Sequence, residues 1–161
     1  MTISPLKEGK FCHVKYFSYL YSMKGRTKLN TLSDKQLKGL LEFCQRYCEF
    51  TFGRNNRKRK PLKVFAAHKA KGQKKVCGWY CPFDNELTIF IKVCKTVSEF
   101  TSTFIHEYTH YMQPCRTKYH KLLKEHGYEK HPFEIQAYST EKYYNKKLLA
   151  VLRKSYKLKN Q

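Results

Sequence analysis

His106-Glu107-Tyr108-Thr109-His110 places two histidines four residues apart. On a helix, this spacing puts both imidazole rings on one face, where they can bind a single zinc ion. Glu107 directly follows the first histidine and faces the open side of such a metal, where a bound water needs a base. The stretch therefore predicts a metal-binding helix that also carries a general base.

The surrounding residues predict that this stretch lies in the last two turns of its helix. A capping box at Thr96-Val97-Ser98-Glu99 marks the start of the helix, and Pro114 marks its end. Apolar residues recur between these points at steps of three and four, namely Phe100, Phe104, Tyr108 and Tyr111 or Met112. Upstream, Leu87 to Val93 is rich in β-branched and aromatic residues, which predicts a strand.

Catalytic zinc normally has three protein ligands, so a third ligand is expected downstream of the two histidines. The candidates are His120, Glu125, His126, Glu129, His131 and Glu134. Gln113 and Arg116 stand where the metzincin extension has a glycine and a third histidine, which excludes that class. We favour Glu134, because Pro132 suits the first turn of a helix whose pattern continues to about Lys147.

This second helix is expected to present Glu134 to the metal helix. Ala137, one turn further on, is small enough to let the two helices approach closely. Tyr138 follows Glu134 by four residues on the same face, from which its hydroxyl can donate a hydrogen bond to the oxyanion of a tetrahedral intermediate. We therefore predict a catalytic role for Tyr138 beside that of Glu107.

The H-E-x-x-H helix and the following helix of the form E-x-x-A resemble the small gluzincins, or minigluzincins. The resemblance covers the chain from about Leu62 to Asn145. It implies a zincin-like domain with one zinc ion per chain, a metallopeptidase activity and Glu107 acting as general base and acid. The zinc ligands that it implies are His106, His110 and Glu134.

The chain also resembles the SprT or Spartan-like proteases, which use three histidines and act on proteins crosslinked to DNA. That resemblance makes His131, before Pro132, or His126, before Gly127, the third ligand. The sequence has no paired C-x-x-C zinc ribbon of the kind that often follows such domains, whereas its basic charge suits them. The identity of the third ligand therefore stays open at the level of sequence.

The chain is strongly basic, with 33 Lys and Arg against 12 Asp and Glu and a formal net charge of +21. This charge predicts an acidic partner, such as nucleic acid, an acidic protein or the interior of a virion. Lysine is commoner than arginine, which suits loose phosphate contacts better than bidentate reading of bases. The densest basic run supplies the candidate nucleic-acid-binding residues, which are Arg54, Arg57, Lys58, Arg59 and Lys60.

Length and composition predict one domain over residues 1–161, extended by a basic N-terminal segment (1–32) and a basic C-terminal helix (142–159). No apolar run is long enough to cross a membrane, and Met1 to Lys10 shows no secretory signal. We therefore expect an intracellular protein, cytoplasmic, nuclear or associated with a virion. Its seven cysteines are expected to be mostly free thiols.

Further elements complete an α+β prediction. A capping box from Ser33 to Gln36 begins a packing helix that ends near Gly53. Two more strands are predicted over residues 62–68 and 76–80, separated by a Lys/Gly turn. The resulting short sheet, mixed or antiparallel, is expected to pack against the metal helix and the glutamate helix.

These features predict a zinc-dependent metallopeptidase that hydrolyses peptide bonds through an activated water. The strand over residues 87–93 is expected to border the cleft and to pair with an extended peptide. Two further hypotheses stay open: a basic nucleic-acid-binding or virion structural protein on a zincin scaffold, and a SprT-like DNA-associated protease. No specificity pocket can be identified from the sequence.

Overall fold

The computed structural model describes residues 27–58, 60–68, 76–114 and 116–157. Within them, helices and a small mixed sheet form the predicted α+β class of fold. A short 3-10 helix, Leu29–Thr31, precedes α1 (Asp34–Phe52), β1 (Lys63–Ala67), β2 (Gly78–Cys81), β3 (Glu86–Phe90), α2 (Val97–Met112), α3 (Arg116–His126) and α4 (Pro132–Lys157). Most of the predicted N-terminal segment, Arg59 and the last residues of the predicted C-terminal helix lie outside the described residues.

Helix α1 begins and ends where its capping residues predict. Ser33 and Gln36 form a capping box, in which each side chain accepts a hydrogen bond from the backbone N–H of the other residue. Gly53 follows the helix with φ at 79°, in the left-handed region that favours glycine. The buried face of α1 includes Leu37, Leu40, Leu41, Cys44, Tyr47 and Cys48. This is the predicted packing helix, and its two cysteines belong to the hydrophobic core.

The sheet has the strand order β1-β3-β2, with β1 parallel and β2 antiparallel to β3. Strand β3 is therefore central, and both of its edges are already hydrogen-bonded. This corrects the expectation that the strand predicted over residues 87–93 pairs with a substrate, because a central strand has no free edge to offer. Strand β2 is an edge strand in the described part of the chain.

Gly78 brings β2 close to the metal helix. A Cβ atom at this position would lie 2.7 Å from Thr103 Cγ2 on α2 and 3.0 Å from the carbonyl oxygen of Thr88 on β3. Any larger residue would therefore push the strand away from the helix. The absence of a side chain lets the edge strand pack directly beside the helix that carries the histidine pair.

Helices α2 and α4 pack against each other along most of α2. Ala137 is completely buried in α4, as predicted for a residue that permits close approach. Further along, Thr101 Oγ1 donates a 2.6 Å hydrogen bond to Asn145 Oδ1, and Leu148 lies in the core. The glutamate helix and the basic C-terminal helix were predicted as separate elements, but they are one continuous helix. No helix among the described residues is long and apolar enough to cross a membrane.

Candidate metal centre

The histidine pair lies in the last turns of α2, as predicted. The capping box of Thr96 and Glu99 fixes the start of the helix, and the helix ends at Met112, before Pro114. His106 Nε2 and His110 Nε2 lie 3.1 Å apart. The four-residue spacing thus directs one nitrogen of each ring to a common point.

Glu134 approaches the same point from the first turn of α4. Its carboxylate oxygens lie 3.4 Å from His106 Nε2 and 3.5 Å from His110 Nε2, and the residue is 4% exposed. Among the described residues, these three side chains are the group of His, Cys, Asp or Glu whose ligand atoms all lie within 4.8 Å of one another. The structure therefore brings together the two histidines and the predicted third ligand.

The Nδ1 atoms of both histidines, which face away from the common point, contact side chains for which the sequence predicted no role. His106 Nδ1 lies 3.0 Å from Glu141 Oε2, and His110 Nδ1 lies 2.8 Å from Gln113 Oε1. Carboxylate and amide oxygens only accept hydrogen bonds, so each Nδ1 carries the hydrogen and donates it. A neutral ring then has its lone pair on Nε2, facing the common point.

The amide of Gln113 is held in the orientation that this role needs. Its Nε2 donates to the carbonyl oxygen of Phe133 at 2.9 Å and to Gln136 Oε1 at 3.0 Å, both at the start of α4. Because both donors of the amide are used there, its oxygen is the atom left to accept from His110. Gln113 thus links the end of the metal helix to the helix that carries Glu134.

Contacts within the site shift the pKa values of His106 and Glu134 in opposite directions. Burial by itself lowers the pKa of His106, but hydrogen bonds with Glu134 and Glu141 outweigh it and raise this pKa to about 9. Burial raises the pKa of Glu134, yet its hydrogen bonds with His106 and His110 hold this pKa well below the usual range. A bound dication can replace the histidine protons that neutralise Glu134.

Glu107 is buried beside the histidine pair. Burial raises the pKa of its carboxyl to about 6, an effect that the neighbouring His110 and His106 and a hydrogen bond from the Tyr80 backbone partly oppose. Tyr80 belongs to β2, so the edge strand and the metal helix hold this carboxylate together. A carboxyl with a pKa near neutrality can both accept and return a proton.

Two tyrosines that the sequence analysis passed over contact Glu134. The Tyr119 hydroxyl donates to Glu134 Oε1 at 3.0 Å, and the Tyr128 hydroxyl donates to Oε2 at 3.4 Å. The predicted Tyr138 lies on the outer side of the site: its ring packs edge-on against the ring of His106, with centroids 4.8 Å apart, and it is 52% exposed. The catalytic role of Tyr138 stays a prediction, and Tyr119 and Tyr128 are placed closer to the cleft.

The alternative third ligands lie elsewhere. His131 is completely buried, its Nε2 is 3.0 Å from the carbonyl oxygen of Tyr119, and its Nδ1 accepts from the Phe133 N–H. Both of its nitrogens are therefore used, Nδ1 at the start of α4 and Nε2 against the backbone of α3. His126 lies at the end of α3, where its Nε2 is 3.9 Å from Glu125. Neither histidine joins His106 and His110.

A cleft of about 540 Å³ opens onto the site. Its walls come from β2 and the turn that follows it, the end of α2, the start of α4 and parts of α3 and its following turn. The lining side chains include Trp79, Tyr80, Phe83, Glu107, Tyr119, His120, Tyr128, Phe133 and Glu134. This volume lies within the range of ordinary ligand-binding clefts.

The residues of the basic run have different surroundings in the structure. Arg54 forms an ion pair with Glu49 at 2.7 Å, Arg57 and Lys60 are exposed, and Lys58 lines the cleft. Arg59 lies outside the described residues. Their role in binding nucleic acid stays a prediction.

The donor atoms fit a zinc ion. Two ligand atoms about 2.1 Å from a tetrahedral zinc are about 3.4 Å apart. The two histidine Nε2 atoms are 3.1 Å apart, Glu134 Oε2 lies 3.4 Å from His106 Nε2, and the other carboxylate oxygen, Oε1, lies 3.5 Å from His110 Nε2. Two imidazole nitrogens and one carboxylate form a donor set used by catalytic zinc sites, which keep a further position open.

No protein-family model, curated protein or solved structure matches this chain.

Proposed function

We propose that this chain is a zinc-dependent metallopeptidase. The observation that carries the proposal is the convergence of His106 Nε2, His110 Nε2 and Glu134 beside a buried Glu107. Zinc held by these three side chains would polarise a scissile carbonyl and lower the pKa of a water in the open position. Nothing in this arrangement requires a covalent intermediate with the protein.

Glu107 would act as the proton carrier of the reaction. Its carboxylate takes a proton from the attacking water and passes it to the amine that leaves when the peptide bond breaks. Its burial, which raises the pKa of the carboxyl, favours its taking up a proton. The hydrogen bond from the Tyr80 backbone keeps the carboxylate oriented between the edge strand and the metal-directed nitrogens.

Strand β2 would hold the substrate. Its residues line the cleft, and in the described part of the chain it pairs with β3 on one side only. An extended peptide added to the other edge would gain backbone hydrogen bonds and run across the site. Tyr119 and Tyr128 lie in the same cleft, and their hydroxyls, which donate to Glu134, would hold this carboxylate in place as a zinc ligand.

The test compares wild-type protein with Glu107→Gln, both loaded with zinc, on a mixture of unstructured peptides analysed by mass spectrometry. The glutamine keeps the size of the side chain but cannot carry a proton. We expect cleavage by the wild type, its loss on chelation, and a decrease of at least about a hundredfold in the variant. Equal cleavage by both proteins would contradict the proposal, because a contaminating protease would not depend on Glu107.

A further inference from the structure

The lining of the cleft outside the candidate metal centre combines one cation with exposed aromatic rings. Lys58 lines the cleft, and its Nζ lies 5.6 Å from the centroid of the Tyr80 ring. Trp79 is 50% exposed and Phe83 is 69% exposed, and both line the same cleft. Apolar rings left in water beside a cleft are typical of a binding surface.

Lys58 is held in place by its own loop. Asn55 is buried and fastens the loop to the end of α2, because its backbone N–H donates to the Tyr111 hydroxyl at 2.9 Å and its Nδ2 donates to the Tyr111 carbonyl at 2.6 Å. The Lys58 N–H in turn donates to the Asn55 carbonyl oxygen at 3.1 Å. The basic loop is thus attached to the metal helix rather than free in solvent.

Outside the candidate metal centre, the charged side chain that lines the cleft is a cation, Lys58. Among the described residues that line it, the only carboxylates are Glu107 and Glu134, which belong to the metal centre. Lys58 has no ion-pair partner among the described residues. A cation of this kind on a half-buried wall attracts an anionic group of the ligand.

We propose that this cleft selects peptides in which an acidic residue lies near an aromatic or large apolar residue, with Lys58 as the specificity-determining cation. This inference rests on the proposed function, because it names the substrate class of the same site. The apolar side chain of the peptide contacts Trp79 and Phe83, while its carboxylate pairs with Lys58.

An acidic peptide fits these features better than a nucleic acid. Lys58 is the only lysine or arginine among the described lining residues, and one cation matches one carboxylate. The phosphate backbone of a nucleic acid is bound by several cations along its length. The neighbouring edge of β2 also offers backbone hydrogen bonds, which suit a peptide.

The experiment uses the only tryptophan of the chain, which lines the cleft. Zinc-loaded Glu107→Gln protein, which leaves the peptides intact, is titrated with tryptophan-free peptides that contain one Phe and one Glu. The Glu is moved along the peptide, and each peptide is paired with one that carries Gln at the same place. Trp79 fluorescence and calorimetry both measure the dissociation constant, so that a silent fluorophore does not hide binding.

We expect at least one Glu peptide to bind about fivefold more tightly than its Gln partner, with a smaller difference at high salt. Lys58→Met should abolish the difference, and Lys58→Glu should reverse it in favour of a Lys peptide. The matched control is Lys38→Met, which removes an exposed lysine of α1 outside the cleft and should keep the preference.

The inference is overturned if no Glu peptide is preferred, or if Lys58→Met retains the preference. It is also overturned if a single-stranded oligonucleotide binds the cleft more tightly than every Glu peptide and loses this affinity in Lys58→Met. The proposed function fails by other results, namely absent zinc or absent Glu107-dependent cleavage. The two failures can therefore be distinguished, since the binding titration requires no turnover.

Discussion

Glu141 holds the outer ring nitrogen of His106 in the candidate metal centre. It lies seven residues after Glu134 on α4, so the two carboxylates are about two helical turns apart on one face. Glu134 faces Nε2 of the His106 ring and Glu141 faces Nδ1 of the same ring. The pair fixes both the position and the tautomer of the histidine.

Replacing Glu141 with alanine should weaken zinc binding without abolishing it. The ring of His106 would lose the acceptor that orients it and raises its basicity, and we expect a decrease of about 10- to 100-fold in zinc affinity. Competition with a chromophoric chelator measures this change. Glu125→Ala, which removes an exposed glutamate of α3, is the control and should bind zinc like the wild type. Equal affinities in the two variants would contradict this role for Glu141.

Local spacing predicted the histidine pair and Glu107, but not the side chains that contact the outer nitrogens of the two histidines. The H-E-x-x-H pattern requires only one helix, so His106, Glu107 and His110 are visible in the sequence. Glu141 and Gln113 acquire their roles only from the detailed packing of α2 against α4, which was predicted in outline but not at the level of these side-chain contacts. Glu141 follows Glu134 by seven residues, and Gln113 follows His110 by three. These spacings place each pair on one helix face, but they indicate a role only once both helices are known to extend that far.

The contact between helices α2 and α4 positions the two parts of the candidate site relative to each other. Each helix carries part of the metal centre, so their separation fixes the distance between the histidines and Glu134. Ala137 is completely buried in this contact, one turn after Glu134. A larger side chain there would have to push the helices apart.

Ala137→Leu should therefore destabilise the fold by about 1–3 kcal/mol, because it overfills a packed interface. Urea unfolding measures the free energy, and zinc affinity should decrease with it as the ligands separate. Ala150→Leu makes the same substitution at an exposed position of α4 and should be nearly neutral. If both variants have wild-type stability, α2 and α4 are not packed as described.

Element boundaries were more predictable than element partners. The capping boxes at Ser33 and Thr96 marked two helix starts correctly, because a cap is a local exchange of hydrogen bonds. The strand order was not predictable, since the parallel pairing of β3 with β1 joins strands that are not consecutive in the chain, whereas β2 and β3 form a local antiparallel pair. The single long α4 was also missed, because its change from metal-facing to lysine-rich residues suggested a boundary that the backbone does not have.

At the scale of the whole molecule, the charge of +21 exceeds what a cleft needs. Lys58 accounts for one of these charges at the candidate substrate site, whereas Arg57 and Lys60 of the same run are exposed to solvent. An excess of positive charge attracts polyanions at long range. The surface and the cleft can therefore have separate partners.

We predict that the chain binds DNA without sequence preference and that the affinity decreases steeply with salt. Replacing both Arg57 and Lys60 with glutamine should lower the slope of log affinity against log salt by about two, if each side chain contacts one phosphate. The control replaces Lys38 and Lys92, exposed lysines outside the run, by glutamine. Weak binding that does not respond to salt would contradict this prediction.

Elemental analysis of the purified protein for zinc shows whether His106, His110 and Glu134 hold a metal ion. Wild type, His110→Ala, Glu134→Ala and His131→Ala are purified in parallel without chelator, and circular dichroism confirms that each is folded. We predict one zinc per wild-type chain, loss of zinc in His110→Ala and Glu134→Ala, and its retention in His131→Ala. A wild-type protein without zinc, or zinc that is lost in His131→Ala and kept in Glu134→Ala, would contradict the account.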